Sequence, residues 1–99
     1  MKPTRKHKSM ADFFDALGHP RRQMIFQILK ESGSKGIPFH TLIKRTGLTA
    51  STLSFHLRKL EQGRLLNRQV KGRETWLSLD LRSFFLFTEP ARDQVKIRA

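Results

Sequence analysis

Apolar positions along this chain fall into short runs of helical period, broken by glycine and proline. From residue 9 onward, Phe13, Phe14 and Leu17 form one helical face, and Ser9 with Asp12 has the form of a capping box at its start. Gly18 ends that helix, and Pro20, with His19 ahead of it, suits the first position of the next. Met24, Ile25, Ile28 and Leu29 continue the second helix until Ser32 and Gly33. Residues 34–36 read as a loop, and Ile37 as a short strand before Pro38. A third helix over residues 39–46 turns Phe39, Leu42 and Ile43 inward; Gly47 supplies a sharp turn and Leu48 plugs the angle. Thr49 is a good cap for a fourth helix, whose Leu53, Leu57 and Leu60 make one stripe and whose stop is Gly63. The period then changes. Residues 64–70 and 75–79 alternate as two strands joined by Lys71-Gly72-Arg73-Glu74. Leu81, Phe84, Phe85, Leu86 and Phe87 predict a final helix over residues 81–88, closed by Pro90. No internal repeat is visible.

The predicted class is therefore mainly α with a small β-hairpin, with about five helices. A short helix, a glycine turn, a second helix rich in hydroxyls and cations, and a basic hairpin follow one another in the order of a winged helix-turn-helix. Residues 1–8 contain Lys2, Arg5, Lys6 and Lys8 and read as a basic flexible arm, one that would lie along phosphates or in a minor groove. Residues 9–88 form the domain, and residues 89–99 a charged tail.

Charge sharpens the picture. Lys and Arg number 20 against 8 Asp and Glu, a formal net charge of +12. A basic surface alone would explain solubility only. Here, however, acids are absent from Ser32 through Leu60, where Lys35, Lys44, Arg45, Arg58 and Lys59 lie. A field of one sign draws in a polyanion, so double-stranded DNA is the expected partner.

With the leucine stripe of the fourth helix facing inward, Ser51, Thr52, Ser54, Phe55, Arg58 and Lys59 occupy the opposite arc. A helix of about 13 residues is roughly 20 Å long and fits the major groove, N-terminal turn first. Ser51 and Thr52 are placed for phosphates or base edges, and Arg58 and Lys59 for phosphates. Ser54 and Phe55 are expected to meet bases, an aromatic edge against a thymine methyl. The bland alternative is a solvated face with Phe55 partly tucked in; hydroxyls weaken a helix interior, which favours the binding role. On the hairpin, Arg68, Lys71 and Arg73 are expected to reach the backbone or the adjacent minor groove. Thr49, which caps the helix, completes this expected DNA face.

Three stretches resemble the ArsR family of small dimeric repressors. ALGHPRRQMIFQIL resembles the opening of that family's second helix. GLTASTLSFHLRKLEQGRLL resembles its most specific motif, with Ser-x-His-Leu followed by a Leu and a Gly. Lys71-Gly72-Arg73 with Trp76 and Leu79 resembles its wing. The resemblance implies a homodimer whose first and last helices pack across a two-fold axis, with Phe13, Phe14, Leu17, Phe84, Phe85 and Phe87 at the interface. Phenylalanines concentrated at the two ends of a 99-residue chain agree with it. The implied function is sequence-specific transcriptional regulation by a homodimeric repressor. Its operator would be near-palindromic, with recognition helices about 34 Å apart. His56 matches the family histidine, which would bond phosphate or brace a neighbouring helix. The chain also departs from the family. The helix over residues 39–46 has no Cys-x-Cys, and Arg82-Ser83-Phe84-Phe85-Leu86-Phe87 replaces the Asp and His of other members' last helix. Phe55 stands where an Arg is usual, so that base contact does not carry over.

Other chemistries find little support. Without cysteine there is no disulfide or thiolate ligand. His7, His19, His40 and His56 sit on separate elements, so no metal site and no cofactor are expected. No nucleophile–base set or phosphate-cradling glycine loop suggests an enzyme. No apolar run approaches the roughly 20 residues of a membrane span, and the basic start lacks a secretory apolar stretch, so a cytoplasmic protein is expected. A winged-helix module for protein or RNA is the alternative. The sequence names neither an operator nor an effector.

Overall fold

A computed structural model describes residues 1–88; the charged tail expected over residues 89–99, with its closing Pro90, lies outside the described residues. The elements run α1 (Arg5–Leu17), α2 (Pro20–Ser32), β1 (Ile37–Pro38), α3 (Phe39–Thr46), α4 (Ala50–Gln62), β2 (Leu66–Lys71), β3 (Glu74–Leu79) and α5 (Arg82–Thr88). This is the mainly α, five-helix arrangement with a hairpin wing.

The start of α1 differs from expectation. The helix begins at Arg5, so Arg5, Lys6 and Lys8 of the supposed arm are helical, and Thr4 rather than Ser9 is the cap residue. The Thr4 backbone N–H donates to His7 Nδ1 at 3.0 Å, which satisfies a helix-end donor that Ser9 was expected to serve further on. At the other end α1 stops at Gly18, whose N–H donates to the Asp15 carbonyl. The next cap is His19, which accepts the Arg21 N–H on Nδ1 at 3.1 Å, with Pro20 opening α2.

The three strands form an antiparallel sheet in the order β1-β3-β2. Ile37 pairs with Leu77 and Pro38 with Trp76, while Leu66 pairs with Leu79 and Lys71 with Glu74. Strand β2 starts two residues later than the alternation suggested. Arg64 takes a left-handed φ of 59°, and the Leu65 N–H still donates to the Leu60 carbonyl at 2.9 Å. Pairing then extends to Lys71, which leaves only Gly72 and Arg73 in the turn.

The core lies between α1, α2, α4 and the inner face of the sheet. Phe13, Ala16, Ile25, Leu29, Leu42, Leu53, Leu57, Leu60, Leu65 and Leu77 are fully buried. Met24, expected on the apolar face of α2, is instead exposed. Gly63 does more than stop α4: a Cβ there would meet the Cβ of Ala16 at 2.6 Å and the Asp12 carbonyl oxygen at 3.0 Å. Only glycine lets α1 cross the end of α4 this closely. Because Phe13 sits in that crossing, it belongs to the core of the single chain, which corrects its expected place at a dimer interface.

Candidate nucleic-acid interface

Helix α3 ends where Gly47 adopts a left-handed φ of 70° and donates its N–H to the Ile43 carbonyl at 2.9 Å. Thr46 ties the corner from both sides: its hydroxyl donates to the Leu42 carbonyl at 2.8 Å and accepts the Leu48 N–H at 3.3 Å. Leu48 is half-buried against the core, the plug expected from its position. Thr49 then caps α4, accepting the Thr52 N–H at 3.2 Å and donating to the Thr52 hydroxyl at 3.0 Å. The angle between α3 and α4 is thus held by local hydrogen bonds and one leucine.

The inner and outer faces of α4 separate cleanly. Leu53, Leu57 and Leu60 are fully buried and His56 is buried beside them. Ser51, Phe55 and Arg58 are exposed; Thr52, Ser54 and Lys59 are half-buried on the same arc. Phe55 is 45% exposed; its ring centre lies 5.4 Å from that of His56 in an edge-on arrangement and 5.9 Å from Lys59 Nζ. Arg58 has no ion-pair partner among the described residues, whereas Lys59 lies 3.9 Å from the Asp15 carboxylate.

His56 does not belong to that outer face. It is buried, and its Nδ1 lies 3.2 Å from Arg22 Nη1, so it braces α2 and cannot reach an external phosphate. Of the two roles the histidine motif left open, the geometry supports the bracing one. Burial comes first among the causes that hold its pKa below the ordinary value of 6.5, followed by His19, Arg22 and Arg21.

On the wing, Lys71 and Arg73 are exposed, with Arg73 in the turn itself. Lys71 Nζ sits 4.7 Å from the ring centre of Trp76, and Lys35 Nζ approaches the same ring at 5.8 Å. The loop before β1 and the tip of the wing therefore share one aromatic platform. Arg68 is different in kind: it holds the Glu61 carboxylate at 2.8 Å, which offsets its charge.

Two features of this region carry no expectation from the sequence: the burial of Arg22 and the meeting of Lys35 with Trp76. Arg22 is buried while Arg21 is exposed. The signal was its spacing of three and seven from Ile25 and Leu29, which puts a guanidinium on the apolar stripe. Lys35 and Trp76 meet only through the β1–β3 pairing, which no local pattern announces.

The apolar ends also come together. Phe84 and Phe87 of α5 pack on Phe13, with ring centres at 6.1 and 5.3 Å, and Phe84 stacks on Phe26 at 6.0 Å. Leu17 joins the same cluster, half-buried. Phe14, Phe85 and Leu86 remain exposed, at 50%, 59% and 66%. Among the described residues no three His, Asp or Glu side chains converge to hold a metal ion. None of the described helices is long and apolar enough to cross a membrane.

Residues 17–69 match the family model described as a helix-turn-helix domain. In structure the chain is similar to an ArsR family transcriptional regulator at 19% identity, covering 85% of this chain and 81% of that one with a TM-score of 0.69. A homodimeric winged helix-turn-helix DNA-binding domain from Mycobacterium bovis, a possible ArsR-family transcriptional regulator, is 22% identical over 87% of this chain and 81% of that one, TM-score 0.71. A predicted DNA-binding transcriptional regulator from E. coli is 29% identical over 79% of this chain and 80% of that one, TM-score 0.63. The ArsR resemblance read from the motifs is thus matched by the fold. No curated protein matches the chain in sequence.

Proposed function

The chain belongs to the helix-turn-helix domain family, and from that premise we propose that it is a sequence-specific DNA-binding transcriptional repressor that works as a homodimer in the cytoplasm. The observation that carries this reading is the division of α4, with three leucines fully buried on one side and Ser51, Phe55 and Arg58 exposed on the other. Such a helix has spent its apolar face on its own core and offers the remainder to a ligand. A formal net charge of +12 makes that ligand an anion.

In this reading the N-terminal turn of α4 enters the major groove. Ser51 and Thr52 meet phosphate or base edges, Ser54 and Phe55 meet bases, and Arg58 and Lys59 lie along the backbone. Thr49 holds the turn and adds its hydroxyl to the same surface. Lys71 and Arg73 extend the contact from the wing. The exposed Phe14, Phe85 and Leu86, with half-buried Leu17, Phe84 and Phe87 beneath them, support pairing with a second copy across α1 and α5. The homodimeric state of the M. bovis domain supports the same arrangement. Two-fold symmetry would be mirrored in a near-palindromic operator, and occlusion of polymerase would follow from occupancy.

Selection of bound sequences from random duplex DNA tests this directly. A recovered palindrome is the expected result. Equal retention of every duplex, or tighter binding of structured RNA in gel shifts, would move the protein to a different class of partner.

A further inference from the structure

Arg22 is a buried arginine, and no carboxylate meets it among the described residues. Its Nε donates to the Ala16 carbonyl at 2.8 Å and its Nη2 to the Asp15 carbonyl at 3.1 Å. Both acceptors lie in the last turn of α1, where the helix presents the negative end of its dipole. The third contact, Nη1 to His56 Nδ1 at 3.2 Å, points to α4. A guanidinium has donors only, so Nδ1 of His56 must accept, and the imidazole must be neutral with its proton on Nε2. One side chain of α2 thereby ties the end of α1 to the middle of α4.

We infer that Arg22 and His56 are the positioning residues that seat α4 against the domain for DNA, and that protonation of His56 unseats it, so that mild acid weakens DNA binding. The inference rests on the reading of α4 as the helix that enters the groove.

The surroundings of His56 decide the sign. From the turn before α2 comes His19, its ring centre 4.9 Å away. From α2 come Arg21 and Arg22. From α1 comes Asp15, but its carboxylate faces Lys59 of α4 at 3.9 Å. A proton on Nδ1 would set two donors face to face among cations. Burial and those cations lower the pKa of His56 in the folded chain. The unfolded chain therefore takes up the proton first. The stabilising contribution is complete above the unfolded value near 6.5 and is lost as pH falls from there through the lower folded value. Positive charge gained elsewhere on the surface in acid works the other way, since it strengthens attraction to phosphate. A loss of affinity in acid is thus the opposite of what a basic surface alone would give.

The test follows binding of the selected duplex by fluorescence anisotropy, at constant ionic strength, from about pH 8 to about pH 5.5. Affinity is expected to fall by about tenfold or more, while circular dichroism shows the helices retained. His56→Asn places an amide oxygen near the position of Nδ1 and cannot titrate; it should bind at the upper pH and show a flat profile. A wild-type profile that is flat or rises in acid overturns the inference, as does an equal acid loss in H56N. Should H56N not fold, proton NMR of the wild-type imidazoles decides. The ring whose protonation tracks the loss of binding must be His56, and any other ring doing so overturns the inference. A chain that binds no duplex even at the upper pH removes the reading of α4 itself, and this inference with it.

Discussion

Helices α4 and α5 are both short and both carry apolar side chains, yet they are held in opposite ways. Helix α4 buries Leu53, His56, Leu57 and Leu60 within its own chain and leaves a polar arc outside. Helix α5 has no buried residue at all; Phe85 and Leu86 face outward, and only Phe84 and Phe87 lean on the core. Its start is fixed by a polar device, since Asp80 Oδ1 accepts the Arg82 backbone N–H at 3.1 Å and its carboxylate grips the Arg82 guanidinium at 2.6 Å. Those bonds hold the Asp80 carboxyl below its usual pKa. A helix anchored by its own chain can present a rigid polar surface to a ligand, whereas one whose apolar side is left open suits the pairing with a second copy proposed above.

The largest effect should come from loosening the anchor of α4. Leu57→Ala removes a fully buried side chain between α4 and the core and should cost about 3 kcal/mol of unfolding free energy. Chemical denaturation measures it. A loss below about 1 kcal/mol would mean the core collapses around the gap, and α4 would then be less firmly held than its burial implies.

Second in size is the matching experiment on α5. Phe85→Glu should leave the folded monomer almost unchanged, because the ring is largely exposed, yet weaken self-association at least about a hundredfold. Sedimentation across a concentration series separates the two quantities. If the variant instead unfolds without a change in assembly, the contrast between the helices is wrong, and α5 is a core element like α4.

Much of this contrast was legible in the residues. The leucine stripe at 53, 57 and 60, the Thr49 cap and the Gly47 turn are local features, written in spacing and backbone chemistry, and each stands where it was read. What escaped was non-local. Phe13 is as apolar as Phe14, and only the crossing at Gly63 decides which of the two is buried. His56 carries the same local signal whether it faces solvent or Arg22; the partner lies 34 positions away. At the start of α1 both Thr4 and Ser9 suit a cap, and the contact with the His7 ring selects the first.

The outer face of α4 is probed by a third, smaller change. Arg58→Ala should weaken binding to any duplex about tenfold and lower the salt slope by roughly one per protomer. Arg68→Ala is its control. The Glu61 carboxylate already offsets that charge, so the slope should move less. Titration in increasing salt gives both values, and identical slopes for the two variants would place Arg58 away from phosphate.

The smallest expected effect concerns the outer part of the wing, beyond the buried Leu66 and Leu77, where one ring gathers two cations. Trp76 holds Lys71 at 4.7 Å and Lys35 at 5.8 Å from its centre. A cation over an exposed aromatic face contributes about 0.5–1 kcal/mol, so the platform restrains the two ammonium groups without trapping them. Trp76→Leu keeps an apolar residue on β3 but removes the negative face. The lysines remain charged, so the salt slope should stay as it was, while affinity falls about threefold because the cations must be ordered on binding instead of beforehand. Lys71→Met should do the reverse, lowering the slope because one phosphate contact is gone. Trp76 is also the chain's single tryptophan, so its fluorescence in the wild type reports whether Lys71 leaves the ring when duplex is added. Loss of slope in W76L would mean that the ring itself orders a phosphate contact. Unchanged affinity in both variants would take the wing out of the interface and leave α4 to bind alone.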